Sequence, residues 1–201
     1  MTYEDARAGL RDAELALMQQ RETVAALRRR LPPGPETDDY EFVGPAGPVR
    51  LTELLADERP LVLYHFMFGK QQTAPCPMCS MWADGWNAVA HHLAENVNFM
   101  LVSDAPIDDT LALADDRGWT DMQWLSAHDS SFKVDIGGAD EAGNQWPFLS
   151  TWEAGEHGPR LAYSGGAHIA DEHWRGLDLL SPVWHVLDLA RPGRGDWMPS
   201  V

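Results

Sequence analysis

The only two cysteines of the chain stand three residues apart, in Thr73-Ala74-Pro75-Cys76-Pro77-Met78-Cys79-Ser80. In the first turn of a helix, that spacing keeps the two Cα atoms close enough for a disulfide. Pro77 suits the first helical position, where its fixed φ is already helical and its missing N–H costs nothing. Cys76 then falls near the N-cap, facing unpaired backbone N–H groups and the positive end of the helix dipole. Its thiol is expected to ionise below the ~8.5 of a free cysteine. Cys79, one turn further in, is less exposed and suited to resolving a mixed disulfide. Such a pair performs thiol–disulfide exchange, with Cys76 as nucleophile and Cys79 as resolving thiol. A disulfide-bearing protein, a small thiol or a peroxide is the expected partner, together with an external thiol reductant. No cofactor is called for.

Other chemistry is open to the same sulfurs. Two thiolates and a histidine can hold Cu(I) or Zn(II), and His168 and His173 form an H-x4-H pair. The cysteines can also be small buried hydrophobes, or the fold can be a protein-binding scaffold in which the N-terminal segment carries the function. His65 lies in an apolar run leading toward the cysteines, on the strand face of Leu61, Leu63 and Met67. It reads either as a proton relay for the resolving thiol or as a core imidazole bonded to backbone. Trp146-Pro147 opens a strand, the one strand position that tolerates proline. A cis bond there would bring the Trp146 backbone beside Cys76 and offer a peptide edge to a substrate. Pro77, Met78, Trp146 and Pro147 are the candidate substrate contacts. Of the nine tryptophans, Trp82, Trp86, Trp119, Trp124 and Trp146 either line a groove near the site or fill the core.

Positioning these groups requires alternating strands and helices. The near-continuous apolar run Leu61 to Phe68 predicts a strand covered on both faces. Met81, Trp82, Trp86, Val89 and Leu93 predict a helix over 79–95. A second buried strand follows over 97–103 and a second helix over 108–117. Residues 148–152 and 161–163 read as an antiparallel pair around the Gly155 and Gly158-Pro159 turn. Upstream, residues 40–43 and 49–51 flank a Gly44-Pro45-Ala46-Gly47-Pro48 turn, and Thr52 can cap a short helix with Leu54 and Leu55 inward. From Asp171 on, Trp174, Leu177, Leu180, Val183, Trp184 and Leu187 suggest a final helix interrupted at Ser181-Pro182. The sum is a three-layer α/β/α arrangement with a mixed sheet.

The first 31 residues differ in kind, with six arginines against five acids and Leu10, Leu17, Val24 and Leu31 at heptad spacing. We read one long amphipathic helix, ended by Pro32-Pro33-Gly34-Pro35. Its stripe packs on its own domain or forms a homodimer seam, which Gln20 weakens. The expected domains are residues 1–38, helix and linker, and residues 39–201.

Composition narrows the function further. The 201 residues carry 15 Lys+Arg against 31 Asp+Glu, a formal net charge of -16, which argues against a nucleic-acid surface. No apolar run approaches the ~20 residues of a membrane span, and the N-terminus shows no secretory signal. With 44% apolar residues a core forms readily. The expected setting is cytoplasmic, without membrane partners.

The strand 61–68, the C-P-M-C helix start and the Pro147 strand together resemble a thioredoxin fold. The whole chain is similar to a bacterial thioredoxin-like family catalogued as domain of unknown function 899. The resemblance rests on Arg28-Arg29-Arg30-Leu31-Pro32, Tyr64-His65-Phe66-Met67-Phe68-Gly69, Cys76 through Gly85, Ser103-Asp104-Ala105-Pro106, Arg117-Gly118-Trp119, Tyr163-Ser164, Arg175-Gly176-Leu177-Asp178 and Leu187-Asp188 with Gly193-Arg194. It implies a thioredoxin fold, a dithiol centre at Cys76 and Cys79, and a cis proline at Pro147. Against ordinary thioredoxins, His65 stands about where a buried Asp is kept and the loop Gly69 to Pro75 is longer. Thr73-x-x-Cys76 is similar to the peroxiredoxin spacing, with Gly69 where their fuller motif has proline.

Overall fold

A computed structural model of the chain describes residues 1–56, 59–169, 176–191, 193 and 195–200. It divides into two units, Met1–Gly34 and Pro35–Val201. The first is helix α1 (Tyr3–Arg28), started by Thr2, whose hydroxyl accepts from the Asp5 N–H while the Asp5 carboxylate accepts from the Thr2 N–H. This reciprocal cap fixes the helix seven residues earlier than the leucine spacing alone marks.

The second unit is built on a seven-stranded sheet: β1 (Glu41–Gly44), β2 (Gly47–Arg50), β3 (Leu61–His65), β4 (Asn98–Ser103), β5 (Gln123–Ser126), β6 (Phe148–Ala154) and β7 (Pro159–Gly166). The spatial order is β2-β1-β5-β4-β3-β6-β7. The β3–β4 and β4–β5 pairs are parallel, and all other pairs are antiparallel. The sheet is therefore mixed, with its parallel centre fed by helical crossovers. Helices α3 (Pro77–Ala94), α4 (Ile107–Arg117) and α6 (Pro182–Leu187) cover one face, and the short α2 (Leu51–Leu54) and α5 (Phe132–Asp135) cover the other. This is the three-layer α/β/α fold that the residue pattern predicts.

Strand alternation sorts the core into two halves. Leu61, Leu63, Met100, Val102 and Leu125 point to the face of α2 and α5, with Phe42, Phe132 and Trp152. Tyr64, Phe66, Leu101 and Trp124 point to the α3 face and meet Cys79, Trp82, Trp86, Trp119 and Trp184. On α3 the buried positions 79, 82, 83, 86 and 90 trace one helical stripe. Four of the five tryptophans considered for a groove are thus core, and Trp146 alone stays 38% exposed. Asp84 ties α3 to the end of α4, accepting from Arg117 Nη2 at 3.0 Å and from Trp119 Nε1 at 2.8 Å.

Local departures from the sequence expectations have local causes. Thr52 does not cap α2. Arg50 occupies the N-cap, and Thr52 sits in the first turn with its N–H and hydroxyl held by Asp39. The structure adds strand β5 and helix α5, each four residues long, to the elements that the residue pattern predicts. In the C-terminal region, Asp178–Leu180 form a 3-10 turn, Ser181 caps α6 and Pro182 takes its first position. The start of the expected final helix, including His173, Trp174 and Arg175, lies outside the described residues.

Candidate active site

Cys76 is the N-cap of α3, in extended backbone (φ -64, ψ 126), and Pro77 follows at the first helical position. The Cys76 N–H donates to the Met67 carbonyl at 3.1 Å, stitching the helix start to the end of β3. Both cysteines are free thiols, Cys76 half-buried and Cys79 fully buried. The Cys76 thiol is pulled down to about 6: the Cys79 thiol donates to its sulfur, and the backbone N–H groups of Cys79 and Met78 add to that against the opposing effect of burial. This is the anion cradle expected at a helix N-terminus.

Cys79 behaves in the opposite sense. Burial pushes its thiol well above the ordinary value, and the neighbouring Cys76 sulfur pushes the same way. Two donors counter this: the Tyr64 hydroxyl, 3.1 Å from Sγ, and the Met67 N–H. The two thiols are thus driven apart in acidity, Cys76 downward and Cys79 upward.

Behind the segment 66–69 lies a buried polar cluster. Lys133, 1% exposed, donates from Nζ to the Phe66 carbonyl at 3.1 Å and to Gln145 Oε1 at 2.6 Å. Gln145 passes the contact on, donating to the Gly69 carbonyl at 2.8 Å. Asp104, also 1% exposed, faces Lys133 Nζ at 3.8 Å and Lys70 Nζ at 3.7 Å. Burial lowers the Lys133 ammonium to about 8, with Asp104 and Cys79 pulling the other way. Gly69 adopts φ +94 and lies so close to the Asp104–Ala105 backbone that a Cβ would sit 2.1 Å from the Ala105 nitrogen. Only glycine fits this left-handed, crowded position, which explains the absence of the peroxiredoxin-type proline.

The sequence-selected residues divide. Cys76, Pro77, Met78 and Cys79 form one constellation. His65 is not brought to the sulfurs: alternation along β3 turns it to the opposite face, where it stacks on Phe132 at 5.3 Å and its Nε2 lies 3.0 Å from Ser150 Oγ. Burial holds its imidazole well below the usual value, hence neutral. The β3 ring that does reach sulfur is its neighbour Tyr64, which spacing did not single out. The expected cis bond at Pro147 is also corrected, since no described peptide bond is cis. The Trp146 N–H reaches the Gly138 carbonyl at 3.0 Å and the Pro147 carbonyl accepts from Ala167 at 3.1 Å, so both flanks are satisfied in the ordinarily preferred trans form. Pro147 immediately precedes β6, whose first residue Phe148 pairs with His65. His168 is exposed, and no described cluster of three or more His, Cys, Asp or Glu is placed to hold a metal ion. Among the described residues no helix is long and apolar enough to cross a membrane.

Comparison with known proteins agrees with this architecture. Residues 1–200 match the family described as "Bacterial protein of unknown function (DUF899)". No curated protein matches the chain. Peroxidoxin BcpB from Mycobacterium tuberculosis is similar in structure at 18% identity, with 73% of this chain and 90% of that one covered and a TM-score of 0.53. PrxQ from Xylella fastidiosa is similar at 13% identity, with 75% and 94% covered and a TM-score of 0.54. At these identities the likeness establishes a shared thioredoxin-type fold.

Proposed function

The chain belongs to the bacterial family of unknown function DUF899, and on the chemistry of its dithiol we propose that it is a thiol–disulfide oxidoreductase. The observation that carries this is the split between two neighbouring thiols, one lowered to about 6 at a helix N-terminus and one fully buried behind it. In the reaction the Cys76 thiolate attacks a substrate disulfide, forms a mixed disulfide and releases one substrate thiolate. Cys79 then attacks the Cys76 sulfur, closes the Cys76–Cys79 bond and releases the second. An external thiol reductant returns two electrons and restores both thiols, as a reducing cytosol would supply. Pro77 and Met78 follow the attacking sulfur in the chain and are the proposed first contacts for substrate, with Trp146, whose ring is 38% exposed, and Pro147 proposed as further contacts.

A peroxide is the second acceptor this site suits, because an ionised, half-buried thiol with a resolving partner is what peroxide reduction requires. Cys76 would take one oxygen from the peroxide to give a sulfenic acid and an alcohol or water. Cys79 would then displace water to close the disulfide. Two assays separate the acceptors. Reduction of a test disulfide should vanish in Cys76→Ser, and wild-type rates in that variant would end the proposal. Stoichiometric hydrogen peroxide should remove both free thiols, and unchanged thiol content would end the peroxide branch alone.

A further inference from the structure

Tyr64 has no part in the scheme above, yet it touches a reacting atom. Its hydroxyl donates to Cys79 Sγ at 3.1 Å across 15 residues of sequence, in a region closed to solvent. The ring is fixed edge-on by Trp86 at 4.6 Å and Trp82 at 5.6 Å, so the hydroxyl has little freedom to swing away. The Met67 N–H reaches the same sulfur. Two donors thus converge on an atom from which water is excluded.

That convergence matters because the buried sulfur must carry charge twice in each cycle. To resolve a mixed disulfide, Cys79 gives up its proton, which leaves with the departing substrate thiolate, and its electron pair forms the bond to Cys76 Sγ as the bond from Cys76 Sγ to the substrate sulfur breaks. When a reductant thiolate attacks Cys76 Sγ of the closed disulfide, the Cys76–Cys79 bond breaks and its electron pair departs on Cys79 Sγ, which is then protonated. A thiolate buried without donors is strongly disfavoured. We propose that the Tyr64 hydroxyl is a catalytic hydrogen-bond donor that holds the charge on the Cys79 sulfur while it attacks and while it departs. Burial and the adjacent sulfurs keep the phenol protonated well above its ordinary value, so it donates throughout the working pH range. This assignment rests on the dithiol reading of the site.

Tyr64→Phe removes the hydroxyl and keeps the ring. Equimolar Ellman's reagent added to the reduced protein releases thiolate in two phases, one for attack by Cys76 and one for ring closure by Cys79. In Tyr64→Phe the first phase should stay close to wild type. The second should slow by about tenfold or more at neutral pH, the range for losing one hydrogen bond to a charged group, with its pH midpoint moved upward. An unchanged second phase overturns the proposal, and so does a uniform slowing with an unmoved midpoint, which marks a packing role only. Absence of a first phase in the wild type refutes the dithiol reading itself, a separate failure. Where Tyr64→Phe does not fold, the infrared difference spectrum between oxidised and reduced wild type decides. A shifted tyrosine C–O band supports the assignment, and its absence overturns it.

Discussion

Replacing Cys79 with alanine removes the donor that most lowers Cys76, and the size of the effect can be worked out. In the variant the Cys76 sulfur keeps only the backbone N–H groups of Met78 and Cys79. A hydrogen bond to a charged group contributes about 1.5–3 kcal/mol, and one pKa unit corresponds to about 1.4 kcal/mol. The Cys76 midpoint should therefore rise from about 6 by roughly one to two units. At neutral pH the thiolate fraction falls from about nine-tenths to between about one-half and one-tenth. Iodoacetamide alkylation followed across pH reads the midpoint separately from the limiting rate, which should change little. Cys79→Ser keeps an O–H donor and should remain nearer the wild type. The folded-state value lies below the ordinary 9.0, so the reduced protein gains stability as pH rises from about 6 toward 9.0 and loses it as pH falls through 6. In Cys79→Ala that gain should begin higher and be smaller. Equal midpoints in wild type and Cys79→Ala would refute the reasoning, because the backbone would then hold the thiolate unaided.

Three further outcomes are expected. Lys133→Met strips the buried Asp104 of its buried partner and should destabilise the fold by about 3–5 kcal/mol in urea unfolding, with Lys133→Met/Asp104→Leu recovering much of the loss. Gly69→Ala forces a Cβ into the Ala105 backbone and should lower stability by about 3 kcal/mol or more; a thermal melt equal to wild type would contradict the crowding described. Residues 35–201 expressed alone should keep the melting transition and the alkylation profile of the full chain, and sedimentation of the two forms tests whether α1 joins two copies.

What the sequence disclosed was governed by near neighbours. Cys76 as N-cap and Pro77 behind it follow from spacing rules that act within a few residues, and they appear where those rules put them. Of the apolar positions expected to face inward on α3, Trp82 and Trp86 are buried, Met81 and Leu93 are half-buried and Val89 is exposed, because the inward stripe runs through Cys79, Ala83 and Ala90 instead. His65 shares its face with Leu61 and Leu63 as alternation predicts, whereas Met67, beyond the end of β3, packs on the cysteine side. The side on which the cysteines lie depends on how α3 folds back over the sheet. Spacing within β3 does not contain that information, so it cannot distinguish Tyr64 from the residue next to it. Lys133, Gln145 and Asp104 meet the segment 66–69 from far along the chain, and a lysine between Phe132 and Val134 gives no local sign of burial. The X-Pro bond at Pro147 takes the ordinary trans form, with its flanking backbone groups bonded to Gly138 and Ala167.

Because β3 is laced on one side to β4 and on the other to β6, residue by residue from Leu61 to His65, its register cannot drift. A slip of one position would put imidazole in place of phenol beside the sulfur, replacing a ring that keeps its proton with one whose unperturbed titration lies near neutrality. The two flanking ladders thus act as a selector, choosing which acid–base partner the dithiol is given.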